Sequence, residues 1–206
     1  MRLGILGPAL GDLGALARAA SLLRTEYAAD RVLYIGDDDA LDRVVERWAR
    51  EIVGADPSDA GVFERAAARC ARAKPPEIDA FVAKERARLD LVAFTALEPG
   101  SRTIELLDGR VVLFVHDKAT LDEEDILAAS ILVFGKSDAA LVRKVGTRIF
   151  LSPGPLTDPQ GGCALLDDGD GGVRVDVIAS NGGAVVLTEQ VGSARASKMH
   201  IQGGHG

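Results

Sequence analysis

Val32-Leu-Tyr-Ile-Gly-Asp-Asp-Asp39 is a short apolar run that stops on a glycine and then three acids. A run of this length bounded by a glycine reads as a buried strand ending in a tight turn. The segment beyond it carries Leu41, Val44, Val45, Trp48 and Ile52, the spacing of an amphipathic helix. The segment before it has the same form. Leu3–Leu6 is an apolar run closed by Gly7-Pro8, and Asp12 is placed to cap a helix bearing Leu13, Leu16, Ala17, Ala20, Leu23 and Tyr27. Strand, helix, strand (Arg31–Ile35), helix predicts parallel strands joined by right-handed crossovers.

Prolines organise the next stretch. Asp56-Pro57-Ser58 opens a helix bearing Val62, Phe63, Ala66 and Cys70. Pro75-Pro76 breaks it, and Glu77 starts a second helix with Ile78, Phe81, Val82, Leu89 and Val92. Residues 56–97 therefore read as a helical hairpin, expected to cover the sheet. The second half is rich in strands. Thr103–Leu107 and Arg110–Val115 flank the turn signal Asp108-Gly109, and Thr120-Leu-Asp-Glu123 reads as a capping box before a short helix. Further strands are expected at Ile131–Phe134, Arg148–Leu151, Cys163–Leu166, Val173–Ile178 and Ala184–Glu189. Residues 1–191 are read as one domain, with two sheets built from successive halves, and 192–206 as a flexible, glycine-rich tail.

Composition narrows the function. The chain has 206 residues, 47% of them apolar, and a formal charge of −7. That acidic balance without a basic stripe argues against nucleic acid as the partner, and no apolar run reaches the length of a membrane span. Two distant cysteines, Cys70 and Cys163, fit reduced thiols in a cytoplasmic protein. Gly7-Pro-Ala-Leu-Gly11 has neither the ending of a phosphate-binding loop nor the spacing of a dinucleotide fingerprint.

The order of the strand-end motifs is more specific. Met1 to Leu13, Val32 to Asp39, Val111-Val-Leu-Phe-Val-His116, Ile131-Leu-Val-Phe-Gly-Lys-Ser-Asp138 and Phe150-Leu-Ser-Pro-Gly-Pro155 together resemble the calcineurin-like metallophosphoesterases, in particular the small bacterial phosphodiesterase branch. The resemblance implies a four-layer α/β/β/α sandwich, here with the helical-hairpin insertion. It also implies a two-metal phosphoester hydrolase site, and here the chain departs from the pattern. The first aspartate and histidine fall on Pro8 and Leu10, which have no donor. The bridging aspartate falls on Asp37, and the next acid on Ala40, beside Asp38 and Asp39. The Asn-His pair has no counterpart, because the sole asparagine is Asn181. The lone histidine falls on His116, followed by Asp117, and the closing pair on Lys136 and Asp138. The remaining histidines, His200 and His205, lie in the tail.

Two dications about 4 Å apart need seven or eight donors, and this set is too small. The expectation is therefore no metal and no catalytic residue, with Asp37, Asp38, Asp39, His116, Asp117, Lys136 and Asp138 as a remnant site in which a buried Lys136 pairs with Asp37 or Asp117. Asp39 is read as a helix cap rather than a ligand. The family includes a retromer subunit whose metal site is impaired and which works through its surfaces, so the first functional reading is a binding or scaffold protein. Its expected partner is another protein or a second copy of the chain. The alternative is a phosphoesterase with one Mg²⁺ or Mn²⁺ held by Asp37, His116 and Asp138, in which Asp37 and His116 are catalytic. A third reading is a sensor that binds a small anion or nucleotide near Lys136 without turnover.

Overall fold

β1 (Arg2–Leu6) and β2 (Arg31–Tyr34) lie parallel, with Leu3 beside Arg31 and Leu6 beside Tyr34. In the computed structural model, which describes residues 1–54, 56–169 and 171–192, they form the centre of a six-stranded sheet. β3 (Phe94–Ala96) extends it on one side, in parallel. On the other side β9 (Gly162–Gly169) runs antiparallel to β1, followed by β10 (Gly172–Ala179) and β11 (Val185–Gly192). A second, five-stranded sheet has the order β4 (Arg102–Leu107), β5 (Arg110–Val115), β6 (Ile131–Phe134), β8 (Arg148–Ser152) and β7 (Leu141–Val145).

The two sheets pack face to face. Alternation along each strand sends Leu3, Ile5, Leu33 and Ile35 from the first sheet, and Val112, Phe114, Ile131 and Val133 from the second, into one buried core. The opposite face of the first sheet, with Leu6, Val32, Tyr34 and Leu165, is covered by α1 (Leu13–Thr25) and α2 (Ala40–Val53). The outer face of the second sheet, with Leu113, Val115, Leu132 and Phe134, packs against Leu121 and Ile126 of the 3₁₀ turn and short α5 (Glu123–Ala128) region. The result is four layers, helix on sheet on sheet on helix. The central strands of both sheets are buried on two faces, which is why they read as continuous apolar runs.

Several local expectations need correction. The sheets are not successive halves of the chain. β9 returns to pair with β1, with β10 and β11 beyond it, and the second sheet is the contiguous middle of the sequence. β3 and β7 were not expected as strands. β3 has only three residues, and β7 is an edge strand whose Arg143 and Lys144 are exposed, so neither has the apolar signature. The capping box is Asp122 with Asp125, not Thr120 with Glu123: Asp122 Oδ1 accepts from Asp125 N at 2.8 Å. Thr120 instead donates its hydroxyl to the carbonyl of Asp117. Asp12 does cap α1, accepting from Ala15 N at 2.8 Å. Gly192 is the last residue of β11, and 193–206 lie outside the described residues.

The hairpin stands where expected, as α3 (Gly61–Cys70) and α4 (Pro75–Leu89), the latter with its two prolines at the first helical positions. Several of its apolar residues face solvent. Phe63 is 79% exposed and Val92 81%. The contact between the helices is ionic: the Arg65 guanidinium donates to both carboxylate oxygens of Glu85, at 2.7 and 3.0 Å, and Arg88 donates to the same carboxylate at 2.9 Å. Arg88 also donates to the carbonyl of Pro57 at 3.2 Å and pairs with Asp59. Glu85 is 8% exposed. The hydrogen bonds from Arg65, and then those from Arg88, hold its carboxyl below the usual carboxylate range.

A carboxyl with a depressed native pKa stabilises above its unfolded value, and that contribution is lost as pH falls through the native one. Amide protection in α3 and α4 should therefore drop on acidification below about pH 4. Glu85→Gln should remove the same protection at neutral pH. Its cost should be about 3 kcal/mol, at the low end for a broken buried pair because the network lies close to solvent. Hydrogen exchange resolved by segment measures both effects, and they should be confined to the hairpin.

Candidate functional site

The strand ends of both sheets meet at one edge of the sandwich, and glycines let them do so. A Cβ on Gly7, after β1, would lie 1.8 Å from the carbonyl oxygen of Gly154, after β8. A Cβ on Gly135, after β6, would lie 2.1 Å from the carbonyl oxygen of Ile35, after β2. No side chain fits in either gap, so backbone touches backbone across the two sheets. The Leu156 amide then donates to the carbonyl of Pro8 at 2.9 Å, tying the β8 turn to the β1 turn.

The β1 turn contributes no donor side chain. Pro8 and Ala9 are buried, and Leu10 is 68% exposed at φ 50°, an unfavourable left-handed conformation for a leucine. What fixes this turn is Tyr34. Its hydroxyl accepts from the buried amide of Ala9 at 3.1 Å and donates to Asp38 Oδ1 at 2.7 Å. Burial pushes the phenol well above its ordinary range, so it stays protonated and keeps both bonds. Asp38 Oδ1 also accepts from Ala40 N at 3.1 Å. The side-chain bond to the start of α2 thus comes from Asp38. Asp39 occupies the cap position expected of it, but its side chain makes no cap bond and lies 4.0 Å from Arg43. Tyr34 was not among the expected site residues. Its one visible signal was a phenol in an otherwise aliphatic buried strand, because a buried hydroxyl needs a partner.

On the other sheet, His116 Nδ1 lies 3.0 Å from the carbonyl oxygen of Ile35. A carbonyl only accepts, so Nδ1 carries the hydrogen and Nε2 keeps its lone pair in the neutral ring. Asp117 caps the following 3₁₀ turn through Ala119 N at 2.9 Å. Lys136 Nζ donates to Asp117 Oδ2 at 2.5 Å. The lysine bond holds the Asp117 carboxyl below the usual range, and Asp117 first, then Asp37, raises the ammonium. The pair is not buried as expected: the Lys136 side chain is 66% exposed. Asp37 and Asp138 are exposed, and Asp138 has no hydrogen-bond partner among the described residues. Of the seven expected positions, the structure joins Asp117 with Lys136 and sets Asp37 in the field of that ammonium. Asp38 belongs to the Tyr34 bridge.

A pair of divalent ions does not fit this donor set. The positions after β1 hold Pro8, Ala9 and Leu10, and Lys136 adds a positive charge among the acids. Among the described residues no three His, Cys, Asp or Glu side chains converge as a metal cage would require. Neither cysteine is bonded, and burial pushes the Cys163 thiol up to about 12, leaving it unreactive.

No family of sequences matches the chain, and no curated protein is similar to it in sequence. Solved structures are. Yfce, a phosphoesterase from E. coli, superposes with a TM-score of 0.53 at 17% identity, over 93% of this chain and 100% of its own. Vacuolar Protein Sorting 29 from Cryptosporidium parvum gives 0.52 at 16%, over 93% and 98%. A Streptococcus pneumoniae protein described as a predicted phosphoesterase gives 0.51 at 15%, over 93% and 97%. The chain has the calcineurin-like metallophosphoesterase fold. The strand-end cleft of Tyr34, His116, Asp117 and Lys136 lies within this fold, and no described helix is long and apolar enough to cross a membrane.

Tyr34→Phe removes the acceptor for a buried amide and should cost about 1–3 kcal/mol. A thermal scan should show a fall of roughly 2–10 °C. Lys136→Met, by contrast, breaks an exposed pair and should leave the melting temperature close to that of the parent.

Proposed function

We propose that this protein is a non-catalytic member of the metallophosphoesterase fold that works by binding another protein. The observation that carries this reading is the Lys136 ammonium held 2.5 Å from Asp117 at the cleft, opposite a β1 turn without a single side-chain donor. Phosphoryl transfer in a two-metal site depends on cations that polarise the phosphoryl oxygen and generate the nucleophile. A fixed ammonium supplies positive charge but cannot lower the pKa of a bound water in that way. The partner is a protein, which includes a second copy of this chain. The unpaired cysteines support a place in the cytoplasm.

One observation favours a second reading. With Nδ1 donating to the carbonyl of Ile35, His116 has the orientation that ligating histidines take, one ring nitrogen anchored on a backbone carbonyl and the other free. Asp37 and Asp138 follow strands that end at the same edge; the three side chains do not converge here, so a single Mg²⁺ or Mn²⁺ held by Asp37, His116 and Asp138, as a remodelled phosphoesterase needs, would have to draw the two carboxylates toward the ring.

Assays with a phosphomonoester and a phosphodiester in the presence of Mn²⁺ separate the two. The expected turnover is at least about a thousandfold below that of Yfce measured alongside, because losses within a catalytic unit are not recovered by its remaining members. Calorimetric titration with Mn²⁺ should show no saturable site. Turnover or binding that Asp37→Ala and His116→Ala both abolish would overturn the first reading in favour of the second.

A further inference from the structure

Away from the strand ends, α2, α3 and α4 line a half-open cavity of about 860 Å³, within the roughly 300–1,000 Å³ typical of small-ligand sites. Its floor is apolar: Ile52 and Val53 at the end of α2, Ala68 on α3, and Ala80 and Phe81 on α4. The two alanines leave the volume open, since larger side chains at either position would fill it.

The rim has the opposite charge to the molecule as a whole. The chain carries −7, yet the cavity is lined by five cationic and three acidic side chains. Those acids are engaged elsewhere. Glu85 is held by Arg65 and Arg88, Glu51 faces Arg47 at 3.8 Å, and Glu77 accepts from the Lys74 amide at the start of its own helix. Arg69, Arg72 and Lys84 are exposed and enter no ion pair among the described residues. Three uncompensated cations over an apolar floor complement a ligand with an anionic head and a hydrophobic body.

We infer that the cavity between α2, α3 and α4 binds a small amphipathic anion, a carboxylate or phosphate on a hydrocarbon chain. The head sits against Arg69, Arg72 and Lys84, and the body lies on Ile52, Val53 and Phe81. A pairing of charge with partial desolvation gives both affinity and the choice of sign. The site is separate from the strand-end cleft and does not depend on what that cleft does.

Calorimetry on the full chain tests this with dodecanoate, dodecyl phosphate and dodecyltrimethylammonium. Saturable one-to-one binding of at least one anion is expected, weakening as NaCl rises from about 0.05 to about 0.5 M, with no binding of the cation. Preference between the two anions tells whether the head is a carboxylate or a phosphate. The exposed double variant Arg72→Glu/Lys84→Glu should lower the affinity by about tenfold or more. Ala80→Trp should block binding by filling the floor, with the circular dichroism spectrum of the parent. Failure of both anions to saturate, equal binding of the cation, or an affinity unchanged by both variants would overturn the assignment. So would loss of binding in Lys136→Ala, which would place the ligand in the strand-end cleft instead.

Discussion

The fold depends on two places where one backbone touches another with nothing between them. Gly7 meets Gly154, and Gly135 meets Ile35, each pair spanning the two sheets. Elsewhere the sheets are held apart by interdigitated side chains, about 10 Å in sandwiches generally. At this edge they close to contact. The closure brings the turns after five strands, β1 and β2 of the first sheet and β5, β6 and β8 of the second, into a shared space. Any chemistry or recognition at this edge inherits its geometry from glycines that carry no chemistry themselves.

Given that closure, the turns need something to hold them in register. In this chain the work falls to ordinary groups. The Tyr34 phenol joins the β1 turn to the β2 turn through Ala9 and Asp38, the His116 ring joins β5 to β2, and the Lys136 ammonium joins the β6 turn to Asp117. These links differ in worth. The Tyr34 bridge is buried and would leave an orphaned amide if cut, whereas the Lys136 pair is open to water and screened by salt. The edge is thus stiff where it meets the helices and soft where it meets solvent.

The sequence made the layered architecture legible because strands buried on both faces are uniformly apolar and end on glycine. It also exposed the missing donors, since proline and leucine at 8 and 10 have no side-chain lone pair to offer under any fold. The partners were less visible. Asp38 and Asp39 are neighbours of identical chemistry, and only the position of the Tyr34 hydroxyl decides which one is engaged. The burial of Lys136 was misjudged because strand-end turns either fold back or project, and the residue types do not say which. Phe63 and Val92 belong to the apolar period of the hairpin yet are exposed, and the hairpin is held instead by Arg65, Glu85 and Arg88. Periodicity reports which residues share a face, not whether that face is the one in contact.

The return of β9 to β1 has a further meaning for how this molecule comes into being. β1 sits between β2 and β9, so one of its two edges has no partner until the chain has been made past Leu166. The middle sheet is built from neighbours in sequence and has no such wait. Contacts between distant segments form slowly, and an unpaired apolar strand edge is a template for the wrong partner in the interval. The order of synthesis thus leaves the most deeply buried strand of the first sheet as the one longest at risk of pairing with another chain, and the protein's yield on refolding should be governed by concentration more than by its final stability.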